Sequence, residues 1–151
     1  MRADKREGDG ATPEGCFVMR RVLYRADKIA KPATGLAVVS LDRADGWCDD
    51  ASDKFYNRQV RLPYRARCEN LWRSDGLYDV IIVLGHNDAP AVPGMGSAIF
   101  LHVAGHITGA DLAPTEGCVA LKLEDLLAVL HHAKPGDRLC VTTGDPNSSR
   151  D

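Results

Sequence analysis

The chain has 151 residues and a formal net charge of −2, with 26% charged residues. This length suits a single domain that can bury a core, and the nearly balanced charge, with Lys and Arg scattered, argues against nucleic-acid binding. No run of about 18 apolar residues occurs, so we expect no membrane span.

The polar stretch at residues 1–15 predicts an extended N-terminal segment. It contains no apolar core like that of a secretory signal peptide. From the residues alone, we expect either an intracellular protein or a chain whose start is missing.

From residue 16 to residue 96, the clearest element is YDVIIVLGHN at 78–87, a continuous apolar run that Gly85 ends. Such a run predicts a strand buried on both faces. The other predicted elements of this part are a strand at 16–24, loops and short strands over 25–76, and a turn-rich loop at 87–96.

The second part of the chain predicts strands at 97–103, 118–121 and 137–143, a loop at 104–117, and a disordered tail at 144–151. Between the last two strands, residues 122–133 have apolar positions at 123, 126, 127 and 130, one face of a helix. Pro135 and Gly136 end that helix. The chain therefore predicts a mainly β domain with one main helix.

Two residues in this second part could carry chemistry. His102 ends a predicted strand, and Cys118 begins the next one after a 14-residue loop that could fold it back beside the first. An imidazole next to a thiol removes its proton and stabilises the thiolate, and amides near Gly117 could hold an oxyanion. The alternative is that Cys118 is an ordinary core residue and His102 a satisfied polar group.

The cysteine count favours neither a disulfide framework nor a zinc ribbon. There are five cysteines and no CxxC pair, so at least one thiol is expected to be free within the chain. We interpret Cys16, Cys48, Cys68 and Cys140 as structural, with burial expected for Cys16 and Cys140 in their apolar strands.

A zinc site at His102, His106 and Cys118 is the competing interpretation. An extended segment would separate the two histidines by roughly 13 Å, too far for one ion. We therefore predict no metal and no other cofactor.

The segments GSAIFLHV and PTEGCVAL together resemble the catalytic segment of the L,D-transpeptidases, the YkuD-type domains. In that family a strand-ending His is followed by a loop, Ser or Thr, often a His, then Gly and the nucleophilic Cys. The matching positions here are His102, Thr115, Glu116, Gly117 and Cys118.

The likeness extends over about residues 3–143, including a TP-x-G stretch at Thr12, Pro13 and Gly15. It departs from the family at Glu116, where His is common, and at Ala120 and Leu121, where polar residues are usual. The loop after the strand-ending His is also slightly shorter.

The resemblance implies an L,D-transpeptidase-like β-sandwich at residues 16–143. It also implies that Cys118 attacks peptidoglycan stem peptides, with His102 as its base and the carbonyl of Val103 or Ala104 orienting the ring. Gly117 and Thr115 would bind the oxyanion or substrate. The family works in the cell envelope or periplasm, whereas the absence of a visible signal leaves the cytoplasm open.

His86, at the end of its strand, and Glu116 are candidates for a supporting role around this site. Glu116 would disfavour a thiolate if it faced Cys118, and otherwise points to solvent. Two other functions stay open: an L,D-carboxypeptidase or another cysteine amidase, and a non-catalytic β-domain that binds a peptide or glycan. The sequence does not indicate an oligomeric state.

Overall fold

The computed structural model describes residues 1–105 and 114–143, which confirms the mainly β prediction. The elements in these ranges are β1 Gly15–Tyr24, β2 Val38–Ser40, β3 Asp45–Cys48, β4 Arg58–Arg61, β5 Cys68–Asn70, β6 Val80–Leu84, β7 Phe100–Val103, β8 Val119–Leu121, α1 Leu123–His132 and β9 Arg138–Val141. The predicted disordered tail at 144–151 and residues 106–113 of the predicted loop lie outside the described residues.

The strands form two sheets. The larger sheet has the order β2-β1-β6-β7-β8, with β9 also paired to β1, and the smaller sheet has the order β4-β3-β5. In the larger sheet β6 runs antiparallel to both β1 and β7, whereas β7 and β8 are parallel. The parallel pair is what brings residue 118 beside the strand that carries His102.

The central strand β6 explains the layering, because all five of its residues are buried. Val80 and Ile82 belong to one apolar cluster, together with Leu126 of α1. Ile81 belongs to a second cluster, on the opposite face, together with Trp47 of the smaller sheet. Alternation along the strand therefore covers one face of the sheet with the helix and the other with the smaller sheet.

Helix α1 begins and ends within one residue of the prediction. Leu126 and Leu130 are fully buried, but Leu127, predicted on the same face, is 36% exposed. Leu127 lies at the edge of the predicted apolar face, away from Leu126 and Leu130, which pack into the core cluster. No helix of the described ranges is long and apolar enough to cross a membrane.

The cysteines of β1 and β9 correct the sequence analysis. Cys16 and Cys140 face each other across the antiparallel strands and form a disulfide. Both residues are exposed, and neither is the buried thiol that was expected. The pairing depends on which strands become neighbours, which the local apolar pattern does not specify.

The N-terminal residues fold back on themselves. Arg2 pairs with Pro13, and the Arg2 N–H donates to the Thr12 carbonyl at 2.9 Å. Lys5 is only 5% exposed, and its ammonium group forms an ion pair with Asp9. This packing lies over the turn that precedes β8.

Candidate functional site

The parallel pairing of β7 with β8 puts His102 and Cys118 on the same face of the larger sheet. His102 lies opposite Ala120, and Cys118 precedes Ala120 by two residues. Side chains two apart point to the same face of a strand. Both residues line one cavity of about 530 Å³, between the sheet, the N-terminal segment and the smaller sheet.

The His102 ring is held by the backbone at its own strand end. It is 4% exposed, and its Nδ1 lies 2.8 Å from the carbonyl oxygen of Val103. A carbonyl can only accept, so Nδ1 carries the proton and Nε2 of the neutral ring has a free lone pair. Burial lowers the pKa of His102 below its ordinary value of 6.5. The ring is therefore a neutral base at neutral pH.

Tyr78 fixes the ring from the side. Its ring packs edge-on against His102, with the two centroids 5.3 Å apart. The Tyr78 hydroxyl donates to the Glu69 carboxylate, and both residues line the cavity. Burial raises the pKa of Tyr78 first, and the charge of Glu69 raises it further, so Tyr78 remains a neutral donor.

The Cys118 thiol is hydrogen-bonded to the backbone of the preceding strand segment. Its Sγ donates to the Ala98 carbonyl at 3.2 Å and accepts from the Phe100 N–H at 3.4 Å. Burial raises the pKa of Cys118 to about 12, against the opposing effect of the Phe100 N–H. The resting group is thus a thiol. Within the described ranges, no hydrogen bond joins it to His102.

The carbonyl that accepts from the thiol belongs to a residue with unusual backbone geometry. Ala98 has a φ of 52°, and its N–H donates to the Asn57 side-chain oxygen at 3.0 Å. The same oxygen accepts from the Trp47 indole N–H at 2.9 Å. The buried side chain of Asn57 therefore holds Ala98 in its strained backbone conformation. The carbonyl of Ala98 in turn positions the Cys118 thiol.

The turn before Cys118 is held from two sides. The Thr115 hydroxyl donates to the Cys118 carbonyl at 2.6 Å, and the Thr12 hydroxyl reaches the same oxygen at 3.4 Å. Thr115 also lines the cavity, but its proton is engaged by the turn. Thr115 thus keeps only its lone pairs for a substrate.

Gly117 also lies against the N-terminal segment, a contact that the sequence did not predict. Its φ is 115°, and a side-chain carbon there would lie 2.8 Å from the Ala11 carbonyl oxygen and 3.4 Å from Lys5 Nζ. The close approach that requires glycine is therefore to the N-terminal segment.

The two supporting candidates differ in position. Glu116 is exposed and lines the cavity, and its charge contributes to raising the pKa of Cys118. His86 is not among the residues that line this cavity. Its Nε2–H donates to the Met95 carbonyl at 3.0 Å, so it supports the loop before Ser97.

The sequence did not predict the polar network around Glu7, which lines the same cavity as His102 and Cys118. The Glu7 carboxylate accepts from the hydroxyls of Tyr56 and Ser97, and Lys5 also lines the cavity. Lys5 contributes to lowering the pKa of Cys118. Neither Lys5 nor Glu7 lies in a strand or helix pattern. The only sequence signal for them is the charged run KREGD beside the TP-x-G stretch.

The zinc interpretation cannot be followed at His106, which lies outside the described residues. Among the residues that are described, no group of three or more His, Cys, Asp or Glu side chains could hold a metal ion.

Comparison with known proteins gives one match. The family model of the L,D-transpeptidase catalytic domain, YkuD, matches residues 2–141. Searches of the curated proteins and of the solved structures found no match. The matched range contains every residue of the cavity described above.

Proposed function

The chain belongs to the family of L,D-transpeptidase catalytic domains that act on peptidoglycan, and we propose that it cross-links stem peptides through a thioester on Cys118. One observation carries the proposal. A neutral histidine with a free Nε2 and a thiol face the same cavity from neighbouring parallel strands.

The first half-reaction transfers the donor acyl group to the enzyme. The Cys118 sulfur leaves the Ala98 carbonyl and attacks the amide carbon between an L- and a D-centre of the donor peptide. Its proton passes to His102 Nε2 during the attack, because the high pKa of the thiol prevents a resting thiolate. The C–N bond then breaks, and His102 returns the proton to the leaving amine.

The second half-reaction releases the acyl group. An amine of another stem peptide attacks the thioester carbon, and His102 Nε2 takes a proton from that amine. The C–S bond then breaks, the new amide is released, and His102 returns the proton to the Cys118 sulfur. Water in place of the amine gives the free acid, which is L,D-carboxypeptidase activity. In both half-reactions the N–H groups of Gly117 and Cys118 hold the oxyanion, in a turn that Thr115 and Thr12 fasten.

We assign the work of this protein to the cell envelope. The support is the Cys16–Cys140 disulfide, because disulfides persist in oxidising compartments and are rare in the cytosol. Fractionation of the producing cells with an antibody to the chain tests this assignment. Recovery of the chain only in the cytosolic fraction, with Cys16 and Cys140 both reduced, would contradict the assignment to the cell envelope.

The nucleophile is tested by acylation with a carbapenem, which offers a strained amide to an acyl-transfer cysteine. Intact-mass measurement should show one adduct per chain, and peptide mapping should place it on Cys118. Cys118→Ser should take up no drug, and the matched variant Cys68→Ser should take up as much as the wild type. An adduct on Cys118→Ser would show that another side chain is the nucleophile.

Transferase and hydrolase activities separate when an acceptor amine is added to a stem-peptide donor. The proposed transferase diverts product from the free acid to a new amide in proportion to the amine concentration. A constant yield of free acid would identify an L,D-carboxypeptidase. Binding of the peptide without any product would identify a non-catalytic binding domain.

A further inference from the structure

Two of the remaining thiols face each other inside the smaller sheet. Cys48 of β3 and Cys68 of β5 are register partners in an antiparallel pair. The next residue pair along these two strands is Asp49 and Arg67. A backbone hydrogen bond joins it, from the Asp49 N–H to the Arg67 carbonyl at 3.2 Å. Pairs alternate along an antiparallel ladder, so Cys48 and Cys68 form a non-hydrogen-bonded pair, in which the side chains approach most closely.

The same arrangement already carries the disulfide of this molecule. Cys16 and Cys140 are register partners in an antiparallel pair, and a ladder bond joins Met19 N–H to the Asp137 carbonyl at 2.9 Å three residues away. By the same alternation Cys16 and Cys140 are a non-hydrogen-bonded pair, with their Cα atoms 4.0 Å apart. The two cysteine pairs therefore have equivalent places in their ladders.

We propose that Cys48 and Cys68 form a second disulfide by exchange with a disulfide donor, either a small molecule or a protein. The Cys68 thiolate attacks one donor sulfur, which breaks the donor S–S bond and releases one donor thiolate. The Cys48 thiolate then attacks Cys68 Sγ and releases the second. The chain loses two protons and two electrons, and the donor is reduced to two thiols.

Access determines the order of these two attacks. Cys48 is fully buried, whereas Cys68 is partly exposed and its thiol donates to the Ala66 carbonyl at 3.4 Å. Burial first, and the neighbouring Cys48 second, raise the pKa of Cys68 to about 11. Exchange at neutral pH is therefore slow and speeds up in mildly alkaline buffer.

The second disulfide ties together two strands of the cavity wall. Asp49 follows Cys48, Glu69 follows Cys68, and both line the cavity that contains His102 and Cys118. It also resolves the odd cysteine count, because two pairs leave a single thiol at Cys118. The proposal concerns thiol pairing and does not depend on the proposed acyl transfer.

The test uses the full folded chain. It is incubated with oxidised glutathione in mildly alkaline buffer until the pattern is stationary, then denatured without reductant and alkylated with N-ethylmaleimide. We expect one adduct per chain, on Cys118, and a linked peptide that contains Cys48 and Cys68. Cys68→Ser should instead give two adducts, on Cys48 and Cys118.

Three other outcomes would overturn the proposal. Alkylation of both Cys48 and Cys68 in the treated wild type would show that the pair stays reduced. A stable glutathione adduct on Cys68 would show that the second attack fails, and a linked peptide that joins either residue to Cys118 would show a different pairing. The Cys16–Cys140 linked peptide in the same digest confirms that existing disulfides survive the procedure.

Discussion

At the scale of single residues, the site depends on which nitrogen of His102 carries the proton. The Val103 carbonyl accepts from Nδ1, and burial lowers the pKa of the ring. In the proposed mechanism the neutral ring is the base, so we expect protonation of the ring at low pH to remove activity. The carbonyl that orients the ring was one of the two that the resemblance implies.

We expect the acylation rate of Cys118 to rise with pH along a limb whose midpoint lies below 6.5, the ordinary histidine pKa. His102→Gln should lower the rate by roughly 10²–10⁴-fold and abolish the limb, because a glutamine cannot take the proton. Stopped-flow measurement of carbapenem acylation across pH gives both values.

The matched control is His132→Gln, at an exposed position in the last turn of α1. It should keep the rate and the limb of the wild type. A limb that persists in His102→Gln would assign the titration to another group.

Glu116 allows a test of the charge around the thiol. Its carboxylate contributes to raising the pKa of Cys118, after burial and the charge of Glu69. Glu116→Gln should therefore lower that pKa and speed alkylation by iodoacetamide a few-fold at neutral pH, more at low salt than at high salt.

Glu124→Gln, an exposed change in the first turn of α1, is the charge-matched control and should leave the alkylation rate unchanged. Slower alkylation of Glu116→Gln would contradict the electrostatic explanation. It would instead indicate that Glu116 stabilises the thiolate.

At the scale of elements, the turn before β8 connects the N-terminal segment to Cys118, the proposed nucleophile. Gly117→Ala should lower the free energy of unfolding by about 2–4 kcal/mol, since it combines a φ of 115° with a contact 2.8 Å from the Ala11 carbonyl oxygen. Denaturant unfolding followed by tryptophan fluorescence measures the loss.

Gly136→Ala is the control that separates the cost of a positive φ from the cost of the contact with Ala11. Gly136 also has a positive φ, 93°, but a side-chain carbon there would meet nothing within 4 Å. We expect it to cost about 1–2 kcal/mol. Equal losses in the two variants would mean that the N-terminal segment does not pack tightly on the turn.

The elements also show what the sequence could and could not predict. Strand β6 was predictable because burial on both faces requires a continuous apolar run. The contacts of Gly117 with the N-terminal segment and the hydrogen bond from Ala98 to Asn57 were not predictable. They join residues far apart in the chain, in loops that have no periodic pattern. The same holds for Ala98, whose strain follows from its surroundings and not from its own preference.

At the scale of the whole molecule, the Cys16–Cys140 disulfide links residues 124 positions apart. A bond that closes so long a segment restricts the unfolded chain strongly. We expect Cys16→Ala/Cys140→Ala to lower the free energy of unfolding by about 2–5 kcal/mol. Calorimetry without reductant measures it.

The stability of the double variant is interpreted by comparison with the single variant and with the wild type. Cys16→Ala alone should lose as much as the double variant, because either change removes the bond. A double variant as stable as the wild type would show that the link does not restrain the chain in solution. The sequence did not predict the link, because β1 and β9 are far apart along the chain and become neighbours only in the folded sheet.

The resemblance to a family located the candidate pair of residues, and the fold explains how they come together. His102 and Cys118 face one cavity only because β7 and β8 run parallel and in a register that aligns residue 102 with residue 120. A slip by one residue would turn the thiol to the opposite face.

The most direct measurement is turnover of a stem-peptide donor in the presence of an acceptor amine, followed by mass spectrometry of both the products and the enzyme. The wild type should form a new amide, release the D-residue and carry a transient acyl group on Cys118, and Cys118→Ser should do none of these. Equal product from Cys118→Ser, or an acyl group found only on another residue, would contradict acyl transfer at this site.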